Sequence, residues 1–531
     1  MSESAARTDA AARARASDPA VSVLLEAPAG SGKTAVLTQR FLKLLCTVED
    51  AGEILAITFT RKAAAEMRAR VTRALRGQIP DTDPSASELR ALAAAALAHG
   101  AARGWRLAEE PQSLRIQTID AFNYWLANQL PVASGVGGAL TVTDAAEELY
   151  QRAARRTLVS AETDATLAPD AQLLFERLDN HWMNFERLLA DMLRARGHWL
   201  SFVFGEDPQV LCRRVNDTLA AITRAQLAQV CALLPQALRR AAAALPGITH
   251  LGEEAADLAS WKELARLTLT ASDWRKQLSA RLLGAAFADP AAGAVRDLIA
   301  QLRQIAGARE TLLALKGAPA AQLSAEDAQA IGALSRLLSY AAAQLHAEFA
   351  AARLVDHTYI TGAARAALTE ANAPTELALR AGLTLRHILV DEFQDTSLAQ
   401  FQLLQALTVS WEEGDGRTLF VVGDPMQSIY RFRDAEVGLF LKARAHGIGT
   451  VRLTALRLTR NFRATDPLVE FTNEVFTQVF PAHDDLRTGA VAYSASVAAR
   501  AGATAAPDPD PIILRLFGER VAEARALAAR I

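Results

Sequence analysis

The stretch VLLEAPAGSGKTAVLTQRFLKLL, residues 23–45, sets two glycines and the pair Lys33-Thr34 between an apolar, β-rich run and a pattern of helical period. Small residues at such a turn let backbone N–H groups and the start of the next helix approach an anion. On this reading Ala27, Pro28, Ala29, Gly30, Ser31 and Gly32 cradle phosphates. Lys33 then places a compact cation between β- and γ-phosphate oxygens, and Thr34 offers its hydroxyl to Mg2+. Taken alone, the loop also suits a plain glycine turn, and it opens with Ala27 where the general pattern has Gly. Lysine is scarce, seven of the 57 cationic residues, which gives Lys33 more weight.

A second element, HILVDEFQDTS, ends an apolar strand on Asp391 and Glu392, where adjacent carboxylates are costly unless a cation answers them. A hydrated Mg2+ would partner Asp391 and leave Glu392 to orient and deprotonate an attacking water. A third run, TLFVVGDPMQSIYRF, carries Gln427 just past its end, within reach of a γ-phosphate. In LRLTRNFRAT, Arg463 offers a planar fork suited to charge on a transferring phosphoryl group.

These residues need strands to end on. Strand-like runs followed by helical patterns recur at Val21–Leu25, Ile54–Thr58, Leu114–Gln117, His387–Val390, Thr418–Val422 and Val451–Leu456, which predicts an α/β fold with a parallel sheet. Between Pro131 and Leu383 the pattern changes to long Ala/Leu/Arg helices, read as an insertion, and the tail from Ile512 reads as a short strand and a helix. A length of 531 residues calls for several domains. The net charge of -2 leaves any anionic partner to local patches. Cys46, Cys212 and Cys231 form no CxxC, so neither a zinc or iron-sulfur site nor a disulfide framework has support. With no leader-like h-region and no run of 18 apolar residues, the expectation is a cytoplasmic protein without a membrane partner.

The segments APAGSGKT, ILAITFTRKAAAEMRARV, IQTIDAFNYWL, LVDEFQDTS, VVGDPMQSIYRFRDAEVGLF and LTRNFRAT resemble, in order, motifs I, Ia, Ib, II, III and IV of UvrD/Rep-type superfamily 1A DNA helicases. Within that family the texture is most similar to the large RecB/AddA-type subunits of ATP-dependent helicase-nucleases, and an opening Ala in the loop is common. The resemblance implies a RecA-like ATP-binding domain from residues 1–135 and 380–445, a helical insertion at 136–379, and the beginning of a second RecA-like domain at 446–531, to which the strand at Val451–Leu456 is assigned. It implies an ATP- and Mg2+-dependent DNA translocase or helicase of 3' to 5' polarity in double-strand break repair, acting on single- and double-stranded DNA and partnered by a second subunit. The other reading kept open is an ATP-gated, single-stranded DNA-binding module without motor activity.

The family carries single-stranded DNA across the strand ends, and Phe59, Tyr430 and Phe432 beside Lys62, Arg431 and Arg433 have the aromatic and cationic mixture for bases and phosphates. Asp120, where many relatives have His, is expected to cap the helix that begins near Ala121, leaving DNA contact there to Thr118. The adenine-reading glutamine expected before the loop is replaced by Ala or Arg, with Arg13 or Arg15 as substitutes that could stack on the base. No segment resembling motif V, motif VI or a nuclease occurs by residue 531. The expectation is therefore an N-terminal portion or truncated product, with Arg463 dependent on further chain for delivery to the nucleotide.

Overall fold

The computed structural model describes residues 3–80, 86–129, 140–279, 289–370, 373–374, 384–431, 435–486 and 488–499, with scattered positions beyond. The chain forms two compact units, one of residues 1–146 with 350–531 and one of residues 147–349.

The first unit is built on a six-stranded, wholly parallel sheet: β1 (Val23–Glu26), β2 (Ile54–Thr58), β3 (Arg115–Thr118), β4 (His387–Val390), β5 (Thr418–Gly423) and β6 (Thr454–Arg457), in the order β6-β1-β5-β4-β2-β3. β1, β2, β4 and β5 are buried along their whole length, which is why they read as continuous apolar runs rather than alternating ones. Alternate side chains feed two cores. Val23, Leu25, Ile54, Ala56, Phe420 and Val422 pack with α1 (Glu3–Ala16), α2 (Lys33–Leu45), α3 (Arg61–Leu75) and α4 (Ala86–Ala101). Leu24, Leu55, Ile57, Ile388 and Val421 pack with α5 (Ile119–Ala127) and the helices His357–Leu368, Leu398–Leu407 and Val437–His446. Helices on both faces of a parallel sheet place functional loops at the carboxyl ends of the strands.

α2 is fixed by a buried arginine. Arg40 donates to the carbonyls of Ala16 (2.8 Å), Asp18 (2.8 Å) and Val21 (2.6 Å) and to Thr418 Oγ1 (3.2 Å). The guanidinium thus ties α2 to the chain entering β1 and to β5, and burial lowers its pKa to about 10.

Two expectations are corrected. The strand assigned to a second domain pairs in parallel with β1, Val23 opposite Thr454 through Glu26 opposite Arg457, and so forms the edge of the first sheet. Its sequence gives no sign of this because the partner lies more than 400 residues away. The helical unit is also shorter than 136–379: the helix His357–Leu368 packs against α5 and belongs with the sheet. The tail elements expected from Ile512 lie largely outside the described residues.

The second unit is helical among its described residues, with a core around Leu227, Trp261, Leu264, Val295, Leu302 and Leu312. Trp261 is fully buried and donates Nε1–H to the carbonyl of Gly252 (2.9 Å).

Candidate active site and nucleic-acid cleft

The loop after β1 turns on Gly30 (φ 77°) and Gly32 (φ 80°), left-handed values that favour glycine, and Gly32 is the N-cap of α2. Three consecutive carbonyls of this loop are held from outside. Ala29 accepts from Asn461 Nδ2 (3.2 Å), Gly30 from the Phe462 backbone N–H (2.8 Å) and Ser31 from Arg13 Nη2 (2.5 Å). A Cβ on Gly30 would stand 2.4 Å from Asn461 Oδ1 and 2.9 Å from Arg463 Cβ, so a side chain there would expel that segment. The Arg463 Cβ therefore lies beside the loop within the first unit.

Lys33 and Glu392 meet: Nζ donates to Oε2 at 2.6 Å, closing the loop against the end of β4. Glu392 is itself left-handed (φ 53°) and also accepts from Gln394 Nε2 (2.9 Å). Its carboxylate thus carries two donors, Lys33 and Gln394. Asp391 accepts the Glu392 N–H at Oδ1 (3.0 Å), and burial, then the Glu392 charge, pushes its carboxyl up to about 6 against the pull of Lys33. Gln427 lies past the end of β5 but donates to Asp424 Oδ2 (2.5 Å). Burial likewise raises the Asp424 carboxyl.

Sequence reasoning missed Gln394. It is 3% exposed, bridges Glu392 and Asp395 (3.2 Å) through Nε2, and accepts the Asp424 N–H through Oε1 (3.0 Å). A Cβ on Gly423 would stand 2.3 Å from Gln394 Oε1, so this strand-to-strand link requires glycine at the end of β5. The only hint was a glutamine-aspartate pair following the two acids. Phe462 was also missed. Its ring, 42% exposed, takes the Arg13 guanidinium at 5.1 Å and that of Arg460 at 5.6 Å, and Asp9 locks the arrangement by accepting from Arg13 Nε (2.6 Å) and the Thr459 N–H (2.9 Å). Arg13 thus stands against the loop as a ring partner, while Arg15 pairs with Asp18 (3.1 Å).

The residues present fit a magnesium nucleotide. Ser31 Oγ is buried with no hydrogen-bond partner among the described residues, and Asp391 carries a burial penalty that a cation would relieve. Thr34 in the first turn of α2 and Asp391 would hold the ion together with phosphate oxygens, which is how Mg2+ is usually bound. Among the described residues no group of three or more His, Cys, Asp or Glu could hold a metal alone, and no helix is long and apolar enough to cross a membrane.

A cleft of about 670 Å3 opens at the ends of β2 and β3, lined by Phe59, Thr60, Arg61, Thr118, Asp120 and Tyr124 among others. Phe59 packs against Tyr430 with ring centroids 4.8 Å apart and the rings tilted by 41°, joining two of the aromatic residues proposed for DNA, and Lys62 is exposed in the first turn of α3. Phe432 and Arg433 lie outside the described residues. The Asp120 cap is corrected: the helix starts at Ile119, so Thr118 is the N-cap and its Oγ1 accepts the Ala121 N–H (3.1 Å). Asp120 instead lies 3.1 Å from Nδ1 of His357, whose Nε2 is 3.0 Å from Asp144. These carboxylates, Asp120 foremost, hold the imidazole pKa above its usual value.

The chain is 29% identical to an ATP-dependent helicase/nuclease subunit of Desulforudis audaxviator over 93% of its own length and 42% of the relative's. It is 26% identical to the corresponding helicase/nuclease subunit of Levilactobacillus brevis (92% and 39%) and 28% identical to that of Moorella thermoacetica (89% and 34%). The chain thus spans about two fifths of the length of the first curated relatives it matches. Residues 8–446 match the profile of the UvrD/REP helicase N-terminal domain, and the chain belongs to that family.

Proposed function

We propose that the first unit binds Mg-ATP at the loop of residues 27–34 and couples its hydrolysis to 3' to 5' movement on DNA, as part of a helicase-nuclease of double-strand break repair that works with a second subunit. The observation that carries this reading is the Lys33–Glu392 pair at 2.6 Å, which puts the loop cation and the acid of the DEFQD segment into one site at the carboxyl edge of the sheet.

A γ-phosphate would compete for Lys33 and release Glu392. Gln394 keeps the released carboxylate turned toward the site, where it accepts a proton from the attacking water. Arg463, beside Gly30, meets the charge on the transferring group, and Gln427 exchanges Asp424 for the γ-phosphate. Bound magnesium supplies the charge that screens the phosphate oxygens. The exposed face of Phe462 offers a platform for the base, and the cleft with Phe59, Tyr430, Lys62 and Thr118 takes single-stranded DNA.

The test is phosphate release by the purified chain with and without single-stranded DNA. Stimulation of about tenfold or more that disappears in Lys33→Ala is expected of a motor. Hydrolysis indifferent to DNA would refute it, and DNA binding that responds to nucleotide without turnover would select the ATP-gated binding module.

A further inference from the structure

We propose that the outer crest of α3 is a second nucleic-acid contact, a phosphate-binding ridge that continues the cleft along about 22 Å of helix. The inference rests on the reading of the cleft as the DNA path.

From Arg61 to Arg76 the chain carries six cations, Arg61, Lys62, Arg68, Arg70, Arg73 and Arg76, against the single acid Glu66. That excess stands out in a chain of net charge -2. The helical period separates them cleanly. Ala64, Met67, Val71, Ala74 and Leu75 face the core, whereas Lys62, Glu66, Ala69, Arg73 and Arg76 form the exposed crest, flanked by Arg61 and Arg70.

A charged helix face is ordinarily no more than a solvated one, but several helix arginines elsewhere are neutralised. Arg103 pairs with Glu49 (2.8 Å), Arg155 with Glu186 (3.0 Å), Arg194 with Glu147 (2.7 Å) and Arg336 with Asp170 (2.6 Å). Among the described residues no ion pair involves a cation of α3. Where these guanidiniums do bond, they donate to backbone carbonyls, Arg68 to Ile116, Arg76 to Ala108 (2.9 Å) and Arg73 to Ala69 (3.4 Å), which orients them and leaves their charge unanswered.

The relief suits a backbone rather than a point ligand. Two hollows flank the crest, of about 240 and 350 Å3, and Arg73 and Gln78 line both. Continuity selects nucleic acid over an acidic protein segment, because Arg61, the first residue of α3, lines the cleft and Lys62 follows it. A strand leaving the cleft on that side meets Lys62, then Arg73 and Arg76, without crossing an acidic surface other than Glu66.

Fluorescence anisotropy with single-stranded oligonucleotides of ~6 and ~20 residues, titrated against the chain and against the double variant R70Q/R73Q, tests the ridge. Unchanged nucleotide affinity of the variant reports an intact fold. The expectation is a loss of roughly tenfold for the long oligonucleotide at 0.1 M salt, with a salt slope shallower by about 1.4, and no change for the short one. Unchanged affinity for the long oligonucleotide overturns the ridge and leaves the cleft standing. Equal losses at both lengths put the first contact on the ridge and overturn the reading of the cleft. Polyglutamate bound by the chain more tightly than the long oligonucleotide overturns the assignment to nucleic acid.

Discussion

The Lys33–Glu392 pair makes the first unit self-closing at the level of single residues: the groups proposed to meet a phosphate and a water are engaged with each other at 2.6 Å. Lys33→Ala removes the cation of the loop and leaves Glu392 facing Asp391 without screening, so we expect loss of hydrolysis and a fall in Mg-ATP affinity of tenfold or more by calorimetry. Unaltered affinity would mean that the loop holds no phosphate. Glu392→Gln should act differently, because the amide can hold a water but cannot take its proton. Nucleotide binding should persist while single-turnover hydrolysis falls by about 10²- to 10⁴-fold. Arg463→Ala should leave nucleotide affinity within a few-fold and reduce turnover by about 10³-fold or more, the usual contribution of an arginine at a transferring phosphoryl group. If turnover is unchanged, the proximity of Arg463 to Gly30 serves packing alone.

The elements that hold these residues were largely legible in the sequence. The strands β1, β2, β4 and β5 are buried on both faces, so VLLE, ILAIT, HILV and TLFVVG announce themselves by apolar and β-branched content. By contrast, β6 reads TALR and is mostly exposed, and nothing local says which sheet it joins. Three of the links missed in the site share one cause: Arg13 with Phe462, Asp120 with His357 and Asn461 with Ala29 are contacts between residues hundreds of positions apart, for which local pattern carries no signal.

One buried group of the sheet predicts a pH response. His387, in β4, is 4% exposed, bonds Thr418 Oγ1 at 2.8 Å, and is held neutral by burial and then by the Arg40 and Arg386 charges, with its pKa lowered to about 3. Its folded-state value lies below the ordinary 6.5, so the unfolded chain takes up a proton that the folded chain refuses. Stability from this group is whole above pH 6.5 and declines as pH falls toward 3. Urea unfolding at pH 7 and pH 4.5 should show His387→Gln losing about 2 to 3 kcal/mol less than the unaltered chain over that interval. Equal losses would show that His387 does not resist protonation.

Across the whole first unit, six parallel strands deliver the nucleotide loop, the acids and the cleft to a single edge, and one chain of contacts joins them. Lys33 meets Glu392, Glu392 meets Gln394, Gln394 receives the Asp424 N–H, and Asp424 accepts from Gln427, three residues before the Tyr430 that packs against Phe59. A ligand that takes Lys33 from Glu392 disturbs the first link, and coupling between two sites is reciprocal in binding free energy. The measurement that tests this most directly is the affinity of the chain for a fluorescent single-stranded oligonucleotide, with and without a saturating, non-hydrolysable magnesium nucleotide. A change in Kd of roughly 5-fold or more, absent in Lys33→Ala, is the predicted result. The same Kd in both conditions, with nucleotide binding confirmed in the same samples, would contradict it.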